Sequence, residues 1–452
     1  MQCALTAWNW LRIAVAVFSV SVAAGQTNPT APPTEPPVQN QNESNITPPM
    51  PPIEPLTPEW FDGPPRKDFA WDVRVTPAIL TFRQRQLVRI EAAFRGGALS
   101  KAGLLSGDLF IVLKLGVKDG PWLPGFSVRT FDIPTKLASR SEVHALFGLY
   151  AEPGTYRASL LAYERRTGKR NLWHGVLRVP NIVRDPLPGD DPVGPAIEFL
   201  PAAPPTTSGR GWVLSHDPWD FEHGRQTIPV ANDAPVEVDV VANLSLSDTA
   251  NSRRAEAPDW MYQFNAAVVT EISYVLSEFG VKNGCTRLSA LDIPRQEVLA
   301  DFEDTRTFDW SWIHTALQNR SRDKIDVHTL ANAKKTPSFL ASYLARLASD
   351  PRRCAGQEGR TPVRILIVVS DAFVFPYRTE MRQAQPSAAW ASSYYLELVP
   401  MFGPRWDEMR NVLKPLNPVR MEVANPDGFR RILVQLIHEI ERISRSKAVP
   451  PH

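Results

Sequence analysis

The stretch VEVDVVANLSLSD, residues 236–248, decides how the larger half of this chain is read. Val236, Val238 and Val240 alternate with Glu237 and Asp239, the period of a strand. Because of those two acids, one side of the strand is not fully apolar near its start. The tail carries Asn243, Ser245 and Ser247 at the same period. Two hydroxyls and an amide spaced by two either surround a cation or simply end a strand, and the residues alone leave both open.

Downstream of this stretch, helices alternate with strands. WMYQFNAAVVTEISYVLSEFG (260–280) reads as a helix ended by Gly280, and TRLSALDI (286–293) and EVLADFED (297–304) as strands. FDWSWIHTALQNR (308–320) reads as a helix, as does TPSFLASYLARLAS (336–349), with Thr336 at the N-cap and Pro337 at N1. VRILIVVSDAF (363–373) is apolar without a break from Ile365 to Val369, the mark of a strand buried on both faces. YYLELVPM (394–401) and VRMEVANP (419–426) read as strands on either side of the helix WDEMRNVLKPL (406–416). The last helix carries Phe429, Ile432, Leu433, Leu436, Ile437, Ile440 and Ile443, a stripe at helical spacing. This order predicts an α/β, doubly wound, mostly parallel sheet over 211–446, with a short tail at 447–452.

Upstream the period is two. FAWDVRVTP (69–77), QLVRIEAAF (86–94), DLFIVLKLG (108–116), FSVRTFDI (126–133), TYRASLLAYER (155–165) and NLWHGVLRV (171–179) are short runs. Turn signals FRGG, KDGP, AEPG and RTGK separate them. They predict an antiparallel, Ig-like β-sandwich over 67–182. TKLASRSEVHALFGLYA (135–151) reads as a helix or a long crossing loop.

Proline punctuates the chain: 43 of 452 residues. Residues 26–66 are Pro-rich and poor in large apolar groups, which predicts a disordered linker, and the Pro-rich residues 183–210 read as a second linker. Before them, Arg12 and the apolar run Ile13–Val22 precede small residues, the pattern of an export signal over 1–25. That run is too short to span a bilayer, and no later stretch is long and apolar enough. A net charge of +2 implies no attraction to nucleic acid. Signal removal leaves Cys285 and Cys354, which form either one disulfide or two buried thiols.

Residues 230–446 resemble the von Willebrand factor A-related domains of secreted acidobacterial proteins. The resemblance rests on NLSLS, RILIVVSDAF and the final VRMEVANPDGFRRILVQLIHEIERI. It implies a vWA/Rossmann-like fold, preceded by the β-sandwich often found in such proteins. In that family strand one ends in Asp-x-Ser-x-Ser, and a Thr and a later Asp complete a Mg²⁺ or Mn²⁺ site. Ser245 and Ser247 match the serines and Asp371 the later Asp, with Thr329 (or Thr315) as the Thr. Asn243 stands where the first Asp belongs. An amide carries no charge, so the resemblance implies a degenerate site that binds Mg²⁺ weakly or not at all. The family's strand order also brings the loops carrying Cys285 and Cys354 within reach of a disulfide.

Other polar clusters are less specific. HDPWDFEH (216–223) has metal-ligand residue types, but Pro218 breaks any regular helical face across it. HEIER (438–442) lacks the second His of a zinc protease, and His438 reads as packing or capping. Trp310, Trp312 and His314 read as core. No nucleophile elbow and no phosphate loop occurs. The expectation is an exported, non-catalytic binding protein that contacts another protein or a surface polymer outside the cytoplasm. A secreted hydrolase whose site assembles only in the tertiary structure is the alternative.

Overall fold

Period-two runs need a second apolar layer, and in the first domain two antiparallel sheets supply it to each other. The computed structural model describes residues 59–105, 108–182, 185, 187, 197–201, 223–225, 227–245, 259–305, 310, 313, 335–350, 362–373, 389–399 and 407–448, without the side chains of 259–265 and 447–448. All of these belong to one unit, Thr57–His452. The expected export signal and most of the two linkers lie outside the described residues.

The elements of the first domain are α1 (Glu59–Asp62), β1 (Arg66–Lys67), β2 (Asp72–Val75), β3 (Ile79–Leu80), β4 (Gln86–Arg95), α2 (Gly96–Lys101), β5 (Asp108–Val117), β6 (Ser127–Asp132), β7 (Glu142–Ala151), β8 (Gly154–Glu164), β9 (Arg170–Val179) and β10 (Ile197–Phe199). One sheet runs β1-β9-β8-β5-β6, the other β10-β7-β4-β2, with β3 also paired to β4. Phe94, Ile111, Leu113, Phe147, Leu149 and Leu160 meet between them.

Three expectations change here. Residues 142–151, read as helix or loop, form β7, paired with β4 along its whole length. Ala and Leu favour helices, but Ala145, Phe147, Leu149 and Ala151 fall on one face and fill the core, and that burial outweighs propensity. FRGG, read as a turn, opens α2. A Cβ on Gly96 would lie 2.3 Å from the Ala138 carbonyl oxygen, so only glycine fits. Both expected linkers contribute to the sandwich: β10 extends one sheet and β1 the other.

The end of the first linker is a strap across the outer face of β5, β8 and β9. Phe61 is buried there, and its carbonyl accepts a hydrogen bond from Ser159 Oγ at 3.2 Å. His174 Nδ1 lies 2.7 Å from the same hydroxyl, and His174 Nε2 lies 2.8 Å from Gly63 O. Trp122 donates to Asp62, and Arg157 stacks on Trp122 at 3.9 Å. Ser159→Ala is expected to lower stability by about 1 kcal/mol and to raise the quenching of Trp60 and Trp122. A urea midpoint equal to wild type would count against the strap.

The second domain comprises β11 (Ile228–Val230), β12 (Val236–Asn243), α3 (Asp259–Ser277), β13 (Phe279–Val281), β14 (Gly284–Asp292), β15 (Glu297–Phe302), α4 (Thr336–Ser349), β16 (Val363–Asp371), β17 (Ser392–Leu398), α5 (Met409–Leu413), β18 (Val419–Val423) and α6 (Pro426–Ala448). The described chain is thus mostly β-sheet. Six strands run β15-β14-β12-β16-β17-β18. Every pair is parallel except β14–β15. Residues of α3 and α6 pack on one face, those of α4 and α5 on the other. The expected stripe of α6, Phe429 to Ile443, is buried on the first face. Gly280 does not end α3: the helix stops at Ser277, and Gly280 pairs with Pro229 in a short two-stranded sheet. In α4 the cap is Lys335, so the helix starts one residue earlier than expected, with Thr336 and Pro337 as its first two residues.

Glu237 and Asp239 point to the α4/α5 face, where both are buried among ions. Arg364 Nη2 lies 2.9 Å from Asp239 Oδ2, and Arg364 Nε lies 3.4 Å from Glu237. Arg287 Nε is 3.6 Å from Asp239 Oδ1 and Arg287 Nη2 is 3.5 Å from Asp350. Trp390 Nε1 donates to Asp239 Oδ2 at 2.7 Å. Arg364 also donates to the Leu347 and Ala348 carbonyls, at the negative end of α4.

The two domains meet at the turn Phe82–Gln86. Gln84 takes a left-handed conformation (φ 63°). Arg83, only 1% exposed, donates to the His223 carbonyl at 2.6 Å and lies over Tyr274 of α3. Gln84 Nε2 donates to Pro426 O at 3.3 Å, and Arg430 of α6 donates to Gln84 O at 3.4 Å. Arg430 Nε also bonds Asp185 at 2.6 Å.

Candidate functional site

Parallel strands end together, so the C-terminal edge of the six-stranded sheet gathers the tips of β12, β14 and β16. Asn243 closes β12 there and is buried. Its Nδ2 donates to Ser370 Oγ at 3.0 Å, and Ser370 Oγ donates to the Asp371 carbonyl at 2.8 Å. On its other side, Asn243 Oδ1 accepts from Ser245 Oγ. Ser245 Oγ in turn accepts the Ile293 N–H at 3.2 Å. The result is one directed chain, Ile293 to Ser245 to Asn243 to Ser370 to Asp371, laid across three strand ends. Asn243 must both accept and donate in it. A carboxylate can only accept, which is a physical reason for an amide at this position.

In the described part of the implied ion site, Ser245 Oγ donates to Asn243 Oδ1, and Asp371 is the one carboxylate. Ser247 and Thr329 lie outside the described residues. Among the described residues no three His, Cys, Asp or Glu side chains group closely enough to hold a metal.

Beside this chain stands an acid cluster that no sequence motif marks. Asp407 Oδ1 accepts the Phe373 and Met409 N–H groups, each at 3.1 Å, and Asp407 Oδ2 accepts Tyr395 Oη–H at 2.8 Å. Arg410 Nε is 3.6 Å away. Glu397, also buried, sits between Arg410 and Arg420, each with a 2.5 Å contact. Burial pushes the Asp407 carboxyl up to about 6 against the pull of its N–H donors. Burial and the Asp407 charge hold the Tyr395 phenol well above its ordinary value, so it remains a donor. The signal missed in sequence was the pair Tyr395 and Asp407, twelve residues apart and joined only by the fold.

Asp407 sets a pH dependence of definite sign. Its folded pKa is raised, so its contribution to stability is full below about 4 and is lost as pH rises through about 6. Asp407→Asn keeps an acceptor and cannot ionise. Relative to wild type it is expected to gain roughly 2 kcal/mol between pH 4 and pH 7. Urea titrations at four pH values test this, and a difference that stays constant across them would refute it.

The other candidates disperse. His438 is exposed on α6, so it neither packs nor caps; the helical turn carries it past the apolar stripe. Trp310 is core, edge-on to Tyr274 at 5.0 Å; Trp312 and His314 lie outside the described residues. So does HDPWDFEH, apart from His223, which offers its carbonyl to Arg83. Cys285 is buried and disulfide-bonded; Cys354 lies outside the described residues.

No family model and no curated protein matches the chain. Among solved structures it is similar to a protein assigned as ApaA from Bordetella pertussis, at 10% identity and a TM-score of 0.17, over 26% of this chain and 99% of that one. It is also similar to a glycosyl hydrolase family 2 member from Bacteroides cellulosilyticus, at 7% identity and a TM-score of 0.19, over 79% of this chain and 42% of that one. A family 123 glycoside hydrolase from Clostridium perfringens gives 8% and 0.21, over 78% of this chain and 72% of that one. Similarities this low bear on neither fold nor function.

Proposed function

We propose that this chain is an exported, non-catalytic binding protein. In this reading its second domain is a doubly wound, von Willebrand factor A-like module mounted on an Ig-like sandwich. It presents the C-terminal edge of the six-stranded sheet to another protein or to a surface polymer. One observation carries the reading: the strand order β15-β14-β12-β16-β17-β18, with β12 central and an antiparallel edge strand. In open parallel sheets of this kind, ligands bind outside the carboxyl ends of the strands. At that edge, Asn243 and Ser245 tie strand ends together, so contact would rest on shape and charge around Asp371 and not on an ion. Export is supported by the signal-like start and by the disulfide at Cys285.

The test is cross-linking of the folded protein to the intact exported fraction of its own cells. A defined cross-linked species is expected, insensitive to EDTA. Asp371→Lys should abolish it. Lys282→Glu, at the opposite end of the sheet, should not. The reading fails if both variants behave alike while keeping their near-UV circular dichroism, or if the purified protein turns over a polymer.

A further inference from the structure

The joint between the domains is mainly polar. Across it Arg83 donates to the His223 carbonyl and pairs with Glu271, Gln84 donates to the Pro426 carbonyl, and Arg430 donates to the Gln84 carbonyl. Arg85, held on the sandwich side by Glu152 and Glu198, donates to the Arg225 carbonyl at 3.5 Å. Apolar support from the sandwich turn is small, chiefly Phe82 against the α/β core. Each domain has its own separate core. An interface this polar is the kind across which domains move.

Glu271 is the least supported charge in it. It sits on α3 with its side chain 13% exposed, and Arg83 Nε at 3.9 Å is its one ion-pair partner among the described residues. None of the hydrogen bonds found among those residues ends on its carboxylate. The other charged and titratable groups around this corner are Tyr274 on α3, Glu278 just past its end, Arg225, and Glu198 on β10. A desolvated carboxylate held this loosely favours its neutral form. Burial accordingly raises the Glu271 pKa, and Arg83 offsets only part of the rise.

We propose that the joint is a proton-sensitive latch, closed when Glu271 is protonated and loosened when Glu271 ionises. Lifting the Phe82–Gln86 turn away would let water reach Glu271 and remove its preference for the proton. The closed joint then binds more protons than the open one, so acidification favours closure. That direction is opposite to ordinary acid denaturation, where carboxylates satisfied in the native state must be protonated.

The experiment tracks amide exchange of residues 83–86 and of α3 in the full chain between pH 5.5 and pH 8, corrected for intrinsic rates, with β8 as an internal reference. The opening constant should rise with pH, by no more than tenfold per unit, the limit for one proton. In Glu271→Gln it should be low and flat. Small-angle scattering should show the wild type expanding with pH and the variant not. Exchange in wild type that does not change with pH overturns the proposal, whether or not the variant folds. So does a pH dependence that Glu271→Gln leaves intact.

Discussion

Asp239→Ala is expected to lower the unfolding free energy by about 3–5 kcal/mol, the range for removing one partner of a buried ion set. Asp239 is the hinge of its cluster, because Arg364, Arg287 and Trp390 all converge on its two oxygens. Its removal leaves two guanidiniums facing each other inside the α4/α5 face, with Glu237 and Asp350 as the remaining counter-charges. Coulomb attraction in that interior is strong, yet the desolvation already incurred is larger, so a half-emptied cluster is worse than none. Asp239→Asn should lie between wild type and Ala, since its amide oxygen can still accept the Trp390 N–H. Urea titration at pH 7 with an unchanged slope would measure it. A loss below about 1 kcal/mol, the value of an exposed pair, would mean that water reaches the cluster and that the packing described is wrong.

That cluster shows where sequence reading stops. Glu237 and Asp239 were legible as charges breaking an apolar strand. Their partners lie on β14, on β16 and beside β17, and no local pattern points to them. The strands themselves were legible because each satisfies a period that burial enforces: Ile365–Val369 is apolar on both faces, and the α6 stripe is one face. β7 escaped because its residues suit a helix in isolation, and only its pairing with β4 along the whole length makes it a strand. The strap and β10 escaped for the opposite reason. Their compositions suit a linker, and only contacts with distant residues fix them: Phe61 and its neighbours hold the strap on the sheet, and pairing with β7 holds β10. At the candidate site, Asn243 was legible as a departure from a metal-binding pattern. Its reason was not, because the donor it supplies goes to Ser370, which lies 127 positions away in sequence.

Cys285→Ser is expected to cost about 4 kcal/mol, and non-reducing peptide maps to join Cys285 to Cys354. Cys285 is in a disulfide, and the chain offers two partners, Cys3 and Cys354. Cys3 falls within the segment that export would remove. Cys285 is the second residue of β14, and Val236 of β12 pairs with both Gly284 and Val363. The starts of β14 and β16 are therefore two strand spacings apart, roughly 9–10 Å. Cys354 lies nine positions before Val363 in the sequence, enough chain to span that gap, and the bond needs roughly 5.5 Å between Cα atoms. Closing a loop of about 70 residues restricts the unfolded chain by roughly 4 kcal/mol in the entropic account. The bond would fasten the base of the sheet next to Glu237, beside the ion cluster and away from the edge proposed for contact. Reduction should therefore lower the thermal midpoint of the α/β domain while leaving edge-dependent cross-linking intact at room temperature. Two outcomes defeat this: a map joining Cys285 to Cys3, which would also mean the signal is retained, or a Cys285→Ser variant as stable as wild type.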